Sequence, residues 1–301
     1  MLMKSWKTVD PKEVPLLTLY SYLQSIVAPR PIAFASTIDA EGSVNLSPFS
    51  FFNLFSLNPP VVVFSPSRRA RDKSIKHTLE NVMEVPEVVI SMVNYSMVEQ
   101  TSLASTEYEK GVNEFVKAGF TAEASTLVRP PRVAESPASL ECKVQQIIPL
   151  GAEGGAGNLV ICEVLLLHLK EDIFDASGKI SPFKADLVAR MGGDWYARAQ
   201  GEMLFEIPKP LQTKGIGVDN IPDRIRHSHI LTGNNLGRLG NVEQLPSAEE
   251  VETFKQTDEI QLIFKKFGNQ PLELEKALHI LAQQYLEKKE ANTAWKVLLA
   301  D

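Results

Sequence analysis

The hydrophobic pattern of the chain changes period once, near residue 206, and that change restricts the fold more than any other feature. Before it, apolar residues come in short β-branched or alternating runs separated by turn residues. A run at 31–38 (PIAFASTI) precedes the turn Asp39-Ala40-Glu41-Gly42, and a returning strand follows at 44–46. A run at 61–64 follows Asn58-Pro59-Pro60, and another at 88–93 follows Pro86. Two long runs, 140–148 and 159–169, flank a glycine-rich loop at 151–158. Helical spacing interrupts at 71–83, through Ile75, Leu79, Val82 and Met83 with Ser67 as an upstream cap, and again at 98–104. Many short strands with few helices between them predict a mainly β fold with some α, a barrel or sandwich rather than a βαβ array.

After Glu206-Ile207-Pro208-Lys209-Pro210 the period becomes helical. A loop-like stretch at 214–240 leads to a capping box at Ser247 and Glu250. An apolar stripe of Val251, Phe254, Ile263 and Phe267 then stops at Gly268. Pro271 opens a further helix, and Trp295, Val297 and Leu298 mark a last short one. The predicted organisation is a β domain over 1–205 and a loop and helical C-terminal extension over 206–301. The ordinary amphipathic stripes of that extension suit packing or subunit contact better than chemistry.

Composition excludes several classes. With 301 residues, 44% hydrophobic and 23% charged, the chain has the material for a sizeable core and is not a disordered or fibrous sequence. A net charge of −6 argues against a general nucleic-acid binder. No apolar run approaches the roughly 18 residues of a membrane span, and residues 1–12 lack the apolar core of a secretory signal. Cys142 and Cys162 are too far apart for a CxxC motif and lie in strand-like runs, as buried thiols do. The expectation is a cytoplasmic protein. The five histidines form no metal set, and the surroundings of His227 and His229 read as a polar loop.

Three segments carry possible chemistry. The glycine-rich loop 151–157 lacks the Gly-Lys-Ser/Thr ending and following helix of a phosphate loop, and reads as a hairpin connection. Segment 64–78 crowds Arg68, Arg69, Arg71, Lys73 and Lys76 into the first turns of the predicted helix. Cations there oppose the helix dipole, so an anion among them makes better sense than repulsion, although a solvated charge run is the plain alternative. Ser65, Ser67 and Thr78, interleaved with those charges, favour a phosphate. Segment 45–53 (NLSPFSFFN) alternates hydroxyls and amides with aromatic rings. Such a lining suits a flat heteroaromatic ligand with polar edges, and equally an aromatic core strand.

Taken in order, Ala28-Pro29-Arg30-Pro31-Ile32-Ala33, the 45–53 segment, Asn58-Pro59-Pro60 and Lys76-His77-Thr78 resemble the flavin reductase-like proteins with the FMN-binding split-barrel fold. Ile90-Ser91-Met92-Val93-Asn94 with Glu99 and Ser102, and Arg190-Met191-Gly192-Gly193-Asp194-Trp195-Tyr196, extend the resemblance to about residues 15–205. It implies a split β-barrel holding FMN non-covalently in a homodimer, with the flavin near the subunit interface. By position, Ser36, Thr37, Ser47, Ser50, Phe52 and Asn53 would line the isoalloxazine and ribityl chain. Ser65, Arg69, Lys76 and Thr78 would hold the phosphate. His77 departs from the acidic residue usual between the lysine and threonine.

Hydride transfer from NAD(P)H to a flavin needs stacking, a dry face and edge hydrogen bonds, and no protein nucleophile. No catalytic side chain is therefore nominated. The reading is an FMN-binding oxidoreductase using NAD(P)H. The rivals are an FMN-binding electron-transfer or sensor protein, to which the extra helices would dock a partner, and a split-barrel oxidase of a phosphorylated vitamin-like substrate.

Overall fold

The computed structural model describes residues 6–207 and 214–300. It divides into two compact units, Met1–Phe205 and Glu206–Asp301.

In the first unit, helix α1 (Leu16–Ile26) precedes β1 (Ala33–Ile38), β2 (Val44–Phe49), β3 (Phe52–Leu57) and β4 (Pro60–Phe64). Helix α2 (His77–Glu84) leads to β5 (Glu87–Met92), then α3 (Val98–Leu103) and α4 (Glu114–Ala118). A two-residue ribbon, β6 (Ala122–Glu123) with β7 (Arg132–Val133), comes before the long hairpin β8 (Ala138–Pro149) and β9 (Asn158–Leu169). Helix α5 (Pro182–Ala185) and the ladder β10 (Val188–Arg190) with β11 (Tyr196–Arg198) complete it.

Seven strands form one antiparallel sheet in the order β2-β1-β5-β8-β9-β4-β3. Its two ends, β2 and β3, are consecutive in the chain and joined by Ser50 and Phe51 alone. Three Cα–Cα steps span at most about 11 Å, so the sheet must curl until its ends meet. Among the described residues no ladder joins β2 to β3; the barrel is closed by packing and split at that seam. The rings of Phe49 on β2 and Phe64 on β4 pack across it, 5.4 Å between centroids. Inside lie Ala33, Ala35, Val62, Phe64, Ile90, Cys142 and Cys162, capped by Leu79 and Val82 of α2. The alternate residues of β1 and its flank, Ile32 and Phe34, face an outer core with Leu46, Met97 and Phe115. Burial on both faces explains why 31–38 is apolar without alternation.

The hairpin turn after β1 forms as expected, with Gly42 at φ +88° and the Asp39 amide donating to the Ser43 carbonyl. The glycine-rich loop is the β8–β9 connection. Its Gly154 lies so close to Ala70 that a Cβ would sit 2.9 Å from that residue's backbone, and Lys73 pairs with Glu153 at 2.6 Å. The loop thereby braces the basic segment. That segment corrects the expected helix 71–83: it is irregular, and α2 begins only at His77. The Asp72 carboxylate accepts from the Ser74 amide and hydroxyl, which hold it down at about 2, and Lys73 adopts φ +60°. A helix accommodates neither arrangement. Ser67 accordingly caps nothing; Lys76 occupies the position before α2.

The second unit comprises α6 (Asp223–Arg226), α7 (Gly233–Leu239), α8 (Ala248–Lys255), α9 (Asp258–Phe267), α10 (Pro271–Glu287) and α11 (Ala291–Leu298). Two expectations are corrected. The 214–240 stretch holds α6 and α7, the latter started by a Thr232–Asn235 capping box. The 251–267 stripe is two helices, broken at Gln256 and Thr257. The Ser247–Glu250 box and Pro271 at a first turn stand as read. Parts of the 206–210 junction lie outside the described residues. Ile225, Leu239, Ile260, Leu278, Leu286 and Trp295 form this unit's own core, and Trp295 Nε1 donates to the Leu239 carbonyl at 3.0 Å.

Two outcomes follow from this packing. Trp295→Ala should cost about 3–5 kcal/mol, read by denaturant unfolding of the second unit. Burial pushes the Cys142 thiol up to about 12 and Cys162 well above its usual value. Neither should react with an aromatic disulfide reagent at pH 8 until the chain unfolds; fast reaction in the native protein would contradict the interior placement.

Candidate functional site

Lys76 is the point on which the polar groups of the barrel converge. Its backbone is extended (φ −83°, ψ 152°) immediately before α2, and its Nζ lies 5.5 Å from the Phe49 ring centroid. Two depressions share it. One, of about 160 Å³, is bounded by Ser50, Ser65, Ser67 and Phe49, with Tyr20 and Gln24 from α1. The other, about 30 Å³, is bounded by Asn45, Ser47, Arg69, Thr78, Glu107 and Glu114.

The floor of the smaller depression is a closed chain of hydrogen bonds. Thr78 Oγ1 donates to Asn45 Oδ1 at 2.7 Å, and Asn45 Nδ2 donates to Glu114 Oε1 at 2.7 Å. The Leu46 amide donates to Glu114 Oε2 at 2.9 Å. Asn113 caps α4 and sets Glu114 in its first turn, pointing at β2 and 4% exposed. Burial pushes the Glu114 carboxyl above its usual range, against the opposing pull of the Leu46 and Asn45 donors and of His77. Satisfied on every side, this network holds its members rigidly.

The cations are arranged differently. Arg69 Nη1 donates to the Ile75 carbonyl at 2.5 Å and to Ser74 Oγ at 3.1 Å, while its Nε lies 3.4 Å from Glu107. The loop thus fixes the guanidinium plane. Lys76 is half-buried, and burial lowers its pKa, with Glu107 raising and Arg69 lowering it further. Among the described residues no carboxylate lies within 4.0 Å of it. A half-desolvated ammonium next to an arginine and beside serine hydroxyls, with no carboxylate in salt-bridge contact among the described residues, suits a compact dianion such as a phosphate ester.

Six residues marked from the sequence line these depressions: Ser47, Ser50, Ser65, Arg69, Lys76 and Thr78. Four are not brought there. Ser36 and Thr37 are fully buried in β1, with Thr37 Oγ1 accepting from Asn81. Phe52 packs on the barrel core, and Asn53 is exposed on β3 with its Oδ1 on the next amide. Glu114, Tyr20 and Gln24 escaped sequence reasoning. A Glu in a helix first turn is ordinary, and nothing local says what α1 faces.

A larger depression, about 780 Å³, lies on another part of the sheet, between Thr121, Arg132, Ser139 and His168. His168 Nε2 is 2.6 Å from Glu141, whose carboxylate also takes the Thr126 and Leu127 amides. Those groups tie the 121–134 segment to β8, and that work accounts for them.

An antiparallel split barrel with a basic, hydroxyl-lined cleft beside its seam defines a class of small-molecule-binding folds. Residues 26–183 match the flavin reductase like domain, and the chain belongs to that family. A protein of Aquifex aeolicus is 36% identical over 65% of this chain and 97% of its own length. The crystal structure of nitrilotriacetate monooxygenase component B from Bacillus cereus superposes with a TM-score of 0.63 at 29% identity, covering 68% of this chain and 100% of that one. A flavin-reductase-type protein with a split barrel domain from Shewanella frigidimarina gives 0.56 at 27% identity, covering 66% and 95%. These likenesses support a flavin reductase-type function and flavin binding for the first unit.

The raised Glu114 carboxyl has a pH signature. The folded chain keeps that proton where an unfolded carboxyl, at 4.5, has lost it, so this group's contribution to stability falls as pH rises through that interval. Glu114→Gln lacks the loss. Urea unfolding from pH 4.5 to 7 should show the variant gaining on the wild type as pH rises; a constant difference would contradict the burial argument.

Proposed function

We propose that the first unit binds FMN without a covalent bond and accepts hydride on it from NAD(P)H. The observation that carries this reading is Lys76: half-buried, with no carboxylate within 4.0 Å among the described residues, and placed where two hydroxyl-lined depressions meet. Ser65, Arg69 and Lys76 are assigned to the phosphate, Thr78 to the buried wall beneath it, and Ser47 and Ser50 to the polar rim beyond it. We assign Ser36, Thr37, Phe52 and Asn53 no direct contact within one protomer. Bound FMN supplies a reversible two-electron acceptor. The chain's own residues neutralise its phosphate, fix its orientation and, through Phe49 and Tyr20, exclude water from one side.

Helix α1 supports assembly into a homodimer. Although amphipathic, it buries no residue, and Leu17 and Ile26 are about three-quarters exposed at 73% and 74%. Such a face calls for a second surface. Residues 206–301 are assigned packing or assembly duty. Among the described residues no helix is long and apolar enough to cross a membrane, and two unpaired buried thiols accord with a reducing, cytoplasmic setting.

The purified chain mixed with FMN should take up the flavin and show its visible absorption bands, and anaerobic NADH or NADPH should bleach them within seconds. A colourless protein after gel filtration would overturn the FMN reading. Stable colour without bleaching would overturn the hydride step and leave the electron-transfer alternative. A chain ending at residue 205 should keep the flavin affinity of the full chain; loss of binding would contradict the packing role given to 206–301.

A further inference from the structure

The irregular segment between α3 and α4 sends a carboxylate toward the cations of the candidate site. Its backbone and flanks are tied down on both sides of that group. The Ser105 and Thr106 amides donate to the Ser102 and Leu103 carbonyls at 3.0 and 3.2 Å, and Lys110 Nζ lies 3.4 Å from Glu80 of α2. Between these ties Glu107 faces the basic loop, with Oε1 3.4 Å from Arg69 Nε and Oε2 3.8 Å from Arg71 Nη2. Its charge also favours the protonated form of Lys76. The Glu107 side chain is 52% exposed, so charge holds it there more than packing does.

Arg69 shows why that position matters. Its Nη1 is committed to the Ile75 carbonyl and the Ser74 hydroxyl. The edge made by Nε and Nη2 is the one suited to holding an oxyanion through two parallel bonds, and Glu107 stands at its Nε. Of the two depressions that share Lys76, Arg69 lines the smaller, which Glu107 and Tyr108 also bound. Its volume of about 30 Å³ has room for about two waters and not for a phosphoryl group. A phosphate that engages both Lys76 and Arg69 must therefore move the Glu107 carboxylate aside.

A place for the displaced group exists. Beside Glu107 lies an open depression of about 230 Å³ bounded by Arg71, Asp72, Ser74 and His77. Arg71 is 75% exposed and already near Glu107, so a side-chain rotation carries the carboxylate from Arg69 to Arg71 without breaking the backbone ties. Asp72, itself 3.3 Å from Arg71, opposes a permanent stay there. Magnitudes favour the exchange. An ion pair with a half-exposed partner is worth about fivefold in an equilibrium constant, and a dianion bonded to a half-buried ammonium and a guanidinium gains more than that. We propose that Glu107 is an internal competitor for the phosphate site: it occupies Arg69 in the empty protein, yields to a phosphate dianion by moving to Arg71, and so sets the affinity and lifetime of the bound ligand. The competition stands on the geometry of the cations, while the assignment of the phosphate to FMN rests on the function proposed above.

The test uses the full chain and Glu107→Gln, which keeps the side chain's size and removes its charge. Fluorescence titration and stopped-flow release should show the variant binding FMN about fivefold more tightly and losing it about fivefold more slowly, with riboflavin affinity within about twofold of the wild type. A carboxylate that merely held Arg69 in place would give the opposite sign. Weaker or unchanged FMN binding by Glu107→Gln therefore overturns the proposal. Arg71→Gln removes the second seat and should weaken FMN binding about threefold, a loss that should vanish when Glu107→Gln is also present. An equal loss in both backgrounds would mean that Arg71 acts on the phosphate directly, and contradicts the exchange. Absence of FMN uptake by both the wild type and Glu107→Gln would count against the Lys76 reading instead. Calorimetric titration with inorganic phosphate then decides: tighter binding by Glu107→Gln upholds the competition, and equal binding, or none by either protein, overturns it.

Discussion

Two residues, Ser50 and Phe51, join the opposite ends of a seven-stranded sheet, and most of the molecule follows from that short tether. It forces the sheet to roll up, gives the barrel its inside and outside, and leaves a seam where hydrogen bonding stops. The Ser65 amide donates to the Phe51 carbonyl at 2.8 Å, which docks the chain leaving β4 against the seam. Ser50, Ser65 and Phe49 are therefore neighbours for a topological reason. The depression that these residues bound lies in the gap that closure leaves.

The site divides between what is rigid and what is charged. Glu114, Asn45 and Thr78 satisfy one another behind the surface, each at normal hydrogen-bond length, and fix the wall. Lys76 and Arg69 bring the charge, placed by a loop rather than by a helix. That loop is shaped by the Asp72–Ser74 turn and braced by Gly154 and Glu153 of the β8–β9 hairpin. An overall charge of −6 coexists with a local cationic cluster because five of the 31 basic residues fall within the nine positions from Arg68 to Lys76.

Much of the strand pattern was legible because burial leaves a period in the sequence. The 31–38 run, the Gly42 turn and the long hairpin around 151–158 all appear at or near their expected places. The helix expected at 71–83 failed at its first half, since Ile75, Leu79, Val82 and Met83 carry a helical period that extends beyond the helix itself. Asp72 and Ser74, both compatible with a helix start by composition, instead close a turn on each other. The division of the 251–267 stripe has the same origin: apolar spacing persists across the Gln256–Thr257 break. Of the candidate depressions, Ser47, Ser50, Ser65, Arg69, Lys76 and Thr78 are the lining residues that the sequence also marks. Glu114 is not marked, because it reaches Asn45 from 69 positions away, a contact that only the folded outer layer creates. Ser36 and Thr37 were marked as lining residues by order in the chain, and their strand turns out to be buried on both faces.

Phosphate recognition at Lys76 is the central claim, and comparing FMN with riboflavin isolates it. Both share the ring and ribityl chain; only FMN carries the phosphate. Fluorescence titration of the wild type and Lys76→Ala with each flavin should give FMN the tighter binding by about 10–100-fold in the wild type, the scale of one or two charge-assisted hydrogen bonds. That preference should shrink at least tenfold in the variant while riboflavin affinity stays within about twofold. Equal binding of the two flavins by the wild type, or an undiminished preference in Lys76→Ala, would contradict the account.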